Sequence, residues 1–176
     1  MADMPTETKV AAAVRYRFAR PADAALIVQL VRELGEFQRE PGDNIKVTEA
    51  DILRDSFGPT QYIETILAEA DGTTCGFVVF FHNYSTWAGR PGIYLLDVYV
   101  RDWARGLGVG RRLMAEMAAI ARERGSTKLD LSVLSWNPAH EFYEHLGFVA
   151  QTAWQDYRLS GPELEKLADE AEGVER

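Results

Sequence analysis

The stretch from Ile93 to Gly125 constrains this chain more than any other. It opens as an apolar run of aromatic and branched residues, Ile93, Tyr94, Leu95, Leu96, Val98, Tyr99 and Val100, which predicts a buried strand. The chain turns through Arg101-Asp102-Trp103-Ala104 and crosses Arg105-Gly106-Leu107-Gly108-Val109-Gly110. It then enters a helix whose apolar residues Val109, Leu113, Met117 and Ile120 recur at three- and four-residue steps. Glycines at a helix entrance let several backbone N–H groups converge on one point, and the helix dipole adds positive potential there, so the place suits a phosphate. The same glycines would also serve a tight turn that needs them only for its dihedral angles. A dinucleotide fingerprint starting at Gly106 would need glycine where Arg111 stands, and the G-x-x-x-x-G-K-[ST] loop is absent.

Around this centre the chain alternates strands and helices. Val14 to Phe18 reads as an edge or first strand, and Asp23 can cap the helix Ala24 to Phe37, whose Ile27, Leu30, Val31 and Leu34 share one face. Pro41-Gly42 marks a turn, and Thr48 is the N-cap expected for a second helix ending near Phe57-Gly58-Pro59. Ile63 to Ala70 and Gly76 to Tyr84, broken at Asp71-Gly72-Thr73-Thr74, predict a hairpin. After Gly125 come a strand over Lys128 to Val133 and a short helix from Asn137-Pro138 to Leu146, closed by Gly147. Last strands are expected at Phe148 to Ala150 and Ala153 to Leu159, before a terminal helix over Glu163 to Ala171. The order argues for a layered α/β sheet in one domain, residues 13–171, between a polar tail at 1–12 and an acidic tail at 172–176.

Charge and composition narrow the function. The formal net charge of −8 is spread along the chain, which argues against a nucleic-acid surface; it would favour a cationic substrate, or simply keep the surface soluble. The lone Cys75 excludes an intrachain disulfide and a cysteine zinc cluster, and its place before an apolar run predicts a core position. With neither a long apolar run nor a secretory leader in the sequence, no membrane partner and a cytoplasmic location are expected. His140-Glu141 and His145 nearly spell a zinc motif, but a spacing of five sets the rings far apart around a helix, so no metal is expected. His82 reads as a packed or edge histidine, and no G-x-S-x-G elbow occurs.

A second motif follows the strand at Val133: Ser135-Trp136-Asn137-Pro138, then Phe142-Tyr143 and Gly147-Phe148. With the loop Arg105, Gly108 and Gly110, plus the extra Gly106, it resembles the GNAT acetyltransferase superfamily, whose loop pattern is R/Q-x-x-G-x-G/A. Within that superfamily the chain is similar to the diamine acetyltransferase group, which acts on spermidine, spermine or thialysine. The similarity is carried by Arg32-Glu33-Leu34, Val47-Thr48-Glu49-Ala50-Asp51-Ile52-Leu53, Asp55-Ser56-Phe57-Gly58, Tyr94 to Val100 and Tyr157-Arg158-Leu159.

The resemblance implies a GNAT fold, a mixed and mostly antiparallel sheet of about seven strands whose fourth and fifth members splay apart. It implies acetyl-coenzyme A as cosubstrate, with its diphosphate on Arg105, Gly106, Leu107, Gly108, Val109, Gly110 and Arg111. Its pantetheine arm would lie against Val98, Tyr99 and Val100, with Asn137, Phe142 and Tyr143 beyond. Tyr143 takes the general-acid position, the backbone N–H of Val98 the thioester carbonyl, and Asp97 can orient an amine or a proton-relay water. Asn137 to Tyr143 is one residue shorter than usual in relatives. Phe37, Gln38, Trp87 and Leu96 fall at substrate positions, and Gln38 and Leu96 stand where polyamine acetylators carry acids, which weakens a polyamine reading. The expected activity is acetyl transfer to a small primary amine, with protein N-acetylation or a non-catalytic acyl-coenzyme A-binding module as alternatives. A homodimer is expected by the same resemblance.

Overall fold

The structure, a computed structural model, describes residues 14–171 together with Gly173 and Val174. The expected tail at 1–12 lies outside the described residues, as does that at 172–176 apart from those two. The described chain divides into two compact units, one ending at Ala139 and the other opening at His140.

In the first unit, β1 (Val14–Phe18) leads to α1 (Ala24–Phe37) and α2 (Glu49–Phe57), then β2 (Glu64–Ala70), β3 (Thr73–Ser85), β4 (Arg90–Val100), α3 (Val109–Glu123) and β5 (Leu129–Leu131). The strands lie in sequence order, antiparallel from β1 to β4 and parallel between β4 and β5. β1 is therefore the edge its alternation predicts. β3 is buried from Thr74 to Phe80 without alternation because helices cover both faces of the sheet. On one face Leu30 and Leu34 of α1 meet Leu67, Phe77 and Val79, while Ala24, Ile27 and Val28 meet Ile52 of α2. On the other face α3 buries Val109, Leu113 and Met117. A Cβ at Gly76 would stand 2.8 Å from the Tyr99 carbonyl oxygen, so only glycine lets β4 approach β3 this closely here, while Leu113 of α3 would be in ordinary contact at 3.5 Å. Cys75 is fully buried, as its place before the apolar run predicts.

Local chemistry fixes the helix ends. The Asp51 amide donates to the Thr48 hydroxyl (3.2 Å) and the Thr48 amide to the Asp51 carboxylate (3.0 Å), a capping box opening α2. Asp23 is not a side-chain cap for α1. Its carboxylate accepts from Arg17 (2.7 and 2.9 Å) and from the Arg20 amide (2.7 Å), and so serves the 3-10 turn Pro21–Asp23 instead. Gly125 ends α3 in a left-handed conformation, where the Ser126 amide donates to Ala121 and that of Gly125 to Arg122.

The second unit contains α4, which begins at the junction (Ala139–His145), and α5 (Pro162–Ala168). Five strands, not about seven, occur among the described residues. The stretches 148–150 and 153–159 carry no strand, because alternation makes a strand only where a neighbour completes the ladder, and none pairs with them. β5 and α5 are likewise shorter than expected.

Candidate active site

The parting of β4 from β5 creates the site. The two pair only over Ile93–Leu95 and Leu129–Leu131, and β4 then continues to Val100 with no partner on that side. Asp97 opposes Val79 and Leu95 opposes Phe80, so Leu96 is the extra residue of a β-bulge, and its side chain is exposed. The Arg101 amide donates to the Cys75 carbonyl at 2.9 Å. Antiparallel alternation then turns Tyr99 and Asp97 toward β3 and aims the amides of Val98 and Val100 at the open edge. The Arg105 Nε bond to the Val100 carbonyl (3.0 Å) fits this, since that carbonyl also faces away from β3.

The end of β4 is firmly tied down. Arg101 donates to both carboxylate oxygens of Glu33 on α1 (2.8 and 2.7 Å) and to the Thr74 carbonyl (2.8 Å). That pairing holds the Glu33 carboxyl below its ordinary range, against a smaller opposing effect of burial. Arg105 lies 4.4 Å from the Phe37 ring centroid and 5.9 Å from that of Tyr99, and pairs with Asp102 at 2.9 Å. Its guanidinium thus braces the start of the loop.

Gly106 and Gly108 adopt φ of 76° and 79°, and a Cβ at either would meet nothing within 4 Å. They are needed for their dihedral angles, not for room. Gly108 is the N-cap of α3, and among the described residues the amides of Gly106, Leu107, Gly108, Val109, Gly110 and Arg111 donate to no acceptor. Six free donors around the start of a fifteen-residue helix make a place where an anion can be held, an anion cradle in the sense of such helix entrances.

Asp97 shares the α1 face with its cross-strand neighbour Val79. No described side chain or amide donates to its carboxylate, and burial raises its pKa. Phe37 sits 6.3 Å from Tyr99, which brings the end of α1 to the same place, with Gln38 as the helix C-cap. Trp87 is not brought there. It occupies the tip of the β3–β4 hairpin, about 25 Å along the strand from Val98 at 3.3 Å per residue, because the hairpin is long. Sequence reasoning missed two features: the Arg101–Glu33 tie, and Arg39, whose guanidinium lies 5.1 Å from the Trp136 ring centroid. Trp136 stands in the second motif, but nothing in the sequence links it to Arg39.

Asn137 is buried, and its Oδ1 accepts from the Ala139 amide at 3.0 Å. That bond turns the chain into α4 two residues after Asn137. In the second unit, Gly147 at φ 94° turns the chain so that the Phe148 amide donates back to the Tyr143 carbonyl (3.1 Å). Phe148 thereby packs edge-on to Tyr143 at 5.5 Å, with Phe142 at 5.1 Å on the same phenol. Burial pushes the phenol up to about 12, so it keeps its proton throughout the neutral range. His140 and His145 come from the same short helix, and no three metal-ligating side chains gather among the described residues.

A mixed sheet opened beside a helix-entrance anion cradle defines a GNAT-type acyltransferase fold. The profile described as the Acetyltransferase (GNAT) family matches residues 27–148. Thialysine N-epsilon-acetyltransferase of Bos taurus is 34% identical over 167 residues, which cover 88% of this chain and 97% of that protein. The Sus scrofa protein of the same name is 32% identical over 169 residues, 89% and 98% of the two chains. Among solved structures, an integron cassette protein from the mobile metagenome of V. cholerae superposes with a TM-score of 0.74 at 26% identity, covering 88% of this chain and 97% of that one. The chain belongs to the GNAT family and is an N-acetyltransferase.

Proposed function

We propose that this enzyme transfers acetyl from acetyl-coenzyme A to the primary amine of a small molecule, a thialysine-like amino acid or a diamine. The observation that carries the proposal is the set of six unpartnered amides from Gly106 to Arg111, next to the open edge of β4. When bound, acetyl-coenzyme A supplies an activated acyl group as its thioester. The amides of the loop hold the diphosphate, and the Val100 amide pairs with the pantetheine arm as an added strand would. The Val98 amide donates to the thioester carbonyl oxygen, where negative charge develops during attack.

Two protons must move. An ammonium loses one before its lone pair can attack, and Asp97, whose burial favours the protonated form, accepts it directly or through water. The departing sulfur gains one from the Tyr143 hydroxyl, and the phenolate recovers a proton from the newly acylated nitrogen. A phenol near 12 loses no proton to solvent at neutral pH, so the donor is always loaded.

The relatives named as thialysine acetyltransferases, together with Gln38 and Leu96 in place of carboxylates, favour an acceptor with few positive charges. A homodimer is part of the proposal. Val149, Trp154, Tyr157, Leu159, Leu164 and Leu167 are exposed in the second unit, and a second copy would remove this apolar surface from water. The test is thiol release from acetyl-coenzyme A against thialysine, lysine, ornithine, diamines, polyamines and an N-terminal peptide. Turnover greatest with a small amine supports the proposal; turnover with the peptide alone, or with none, refutes it.

A further inference from the structure

α1 and α3 end in the same hydrogen-bonded motif but with different residues at its left-handed position. In α3 that residue is Gly125, at φ 68°. In α1 it is Arg39, at φ 59°, where the Arg39 amide donates to Glu36 (3.1 Å) and that of Glu40 to Gly35 (2.9 Å). A left-handed arginine is strained where glycine is not. The two bonds close the turn around it, and Ile45 of the following loop packs against Gly35 where a side chain would stand. Strain kept at a tightly held position points to a use for the side chain.

The use follows from where that side chain goes. Phe37 rests near Tyr99 on β4, and two residues later the Arg39 guanidinium covers Trp136, which lies five residues beyond the end of β5. The end of α1 therefore spans the parted strands, from one to the chain leaving the other. Arg105 and Arg124 also rest on aromatic rings and are ion-paired with carboxylates, whereas Arg39 on its ring has no carboxylate partner among the described residues. The nearby Glu40 carboxylate instead accepts from Asn44 at 2.6 Å. A guanidinium stacked on an indole keeps its N–H edge available for two-pronged binding of a planar anion. Asp97 lies on β4 two residues past the last pair with β5, a half-buried carboxyl without a donor among the described residues and suited to an amine.

We infer that Arg39, backed by Trp136, binds the α-carboxylate of the acceptor and selects ω-amino acids over diamines of the same length. This rests on the small-amine reading above. The ammonium is held at the Asp97 side of the gap and the carboxylate at the Arg39 side, so a carboxylate-free chain loses one of its two anchors.

The experiment compares thialysine with bis(2-aminoethyl) sulfide, the same chain without its carboxylate, in the wild-type enzyme and in Arg39→Met and Arg39→Lys. Removing a charge-assisted contact should raise KM for thialysine roughly ten- to a hundredfold in Arg39→Met, with kcat nearly unchanged. The sulfide diamine should stay within about twofold, and Arg39→Lys should recover part of the loss. Equal losses for both amines, or a wild-type preference for the diamine, overturn the inference. Should the wild type turn over neither amine, the activity reading fails by itself. Calorimetric binding of thialysine to wild type and Arg39→Met then decides: weaker binding in the variant upholds the carboxylate site, and equal or absent binding ends it.

Discussion

Replacing Gly108 by alanine separates the two uses that glycines at a helix entrance can have. At φ 79° an alanine is strained by about 1–2 kcal/mol, yet its Cβ would touch nothing within 4 Å. The open space leaves the variant loop room to relax toward negative φ in the free enzyme, which would swing the neighbouring amides out of place and strain the Arg112 bond to the residue 108 carbonyl. Binding must then restore the strained form, and the same 1–2 kcal/mol reappears as weaker affinity for acetyl-coenzyme A, about five- to thirtyfold. Gly72→Ala is the matched control. Gly72 has φ 76° and equally open space, but it follows Asp71, at φ 49°, in the tight β2–β3 turn, where the ladder on both sides prevents relaxation. Its strain should lower Tm by roughly 2–8 °C and leave coenzyme affinity unchanged. Titration calorimetry and thermal melts on both variants read the two effects. If Gly108→Ala melts early like Gly72→Ala and binds coenzyme within twofold of wild type, the loop glycines serve only a turn.

Four further outcomes concern Tyr143, Asp97 and Glu33. Tyr143→Phe should lower kcat about 10²- to 10⁴-fold with acetyl-coenzyme A affinity intact, measured by thiol release and calorimetry. In the wild type the phenol, near 12 when folded and about 10 when unfolded, makes stability fall as pH rises from 10 to 12, by roughly 2–3 kcal/mol, and Tyr143→Phe should flatten that part of the melting profile. Asp97→Asn should raise Tm at neutral pH, because it removes a half-buried carboxyl whose folded pKa is raised, while lowering kcat at least tenfold. Glu33→Gln should cost roughly 1.5–3 kcal/mol at neutral pH, and less as pH falls through the lowered pKa of Glu33, where the wild type also loses the Arg101 pairing.

The sequence revealed features whose causes lie within a few residues. The glycine loop, the periodicity of α1 and α3, the Thr48 cap and the Gly125 stop all emerge from neighbouring side chains, and each stands in the structure. Features decided by distant partners were harder to read. Residues 153–159 alternate like a strand but have no ladder neighbour. Asp23 resembles a helix cap, yet Arg17 claims its carboxylate. Trp87 falls at a substrate position by resemblance, and the length of β3 and β4 carries it to a hairpin tip. Arg39 offered no signal, since both its left-handed turn and its meeting with Trp136, 97 residues later in the chain, arise only on folding.

Coenzyme binding depends on the backbone amides of residues 106–111 gripping its diphosphate. Site-resolved amide NMR of the enzyme, with and without acetyl-coenzyme A, addresses them directly. Saturating coenzyme should shift these six resonances and slow their hydrogen exchange, together with the amides of Val98 and Val100 on the open edge of β4. Unchanged exchange across 106–111 under conditions where coenzyme demonstrably binds would contradict the account.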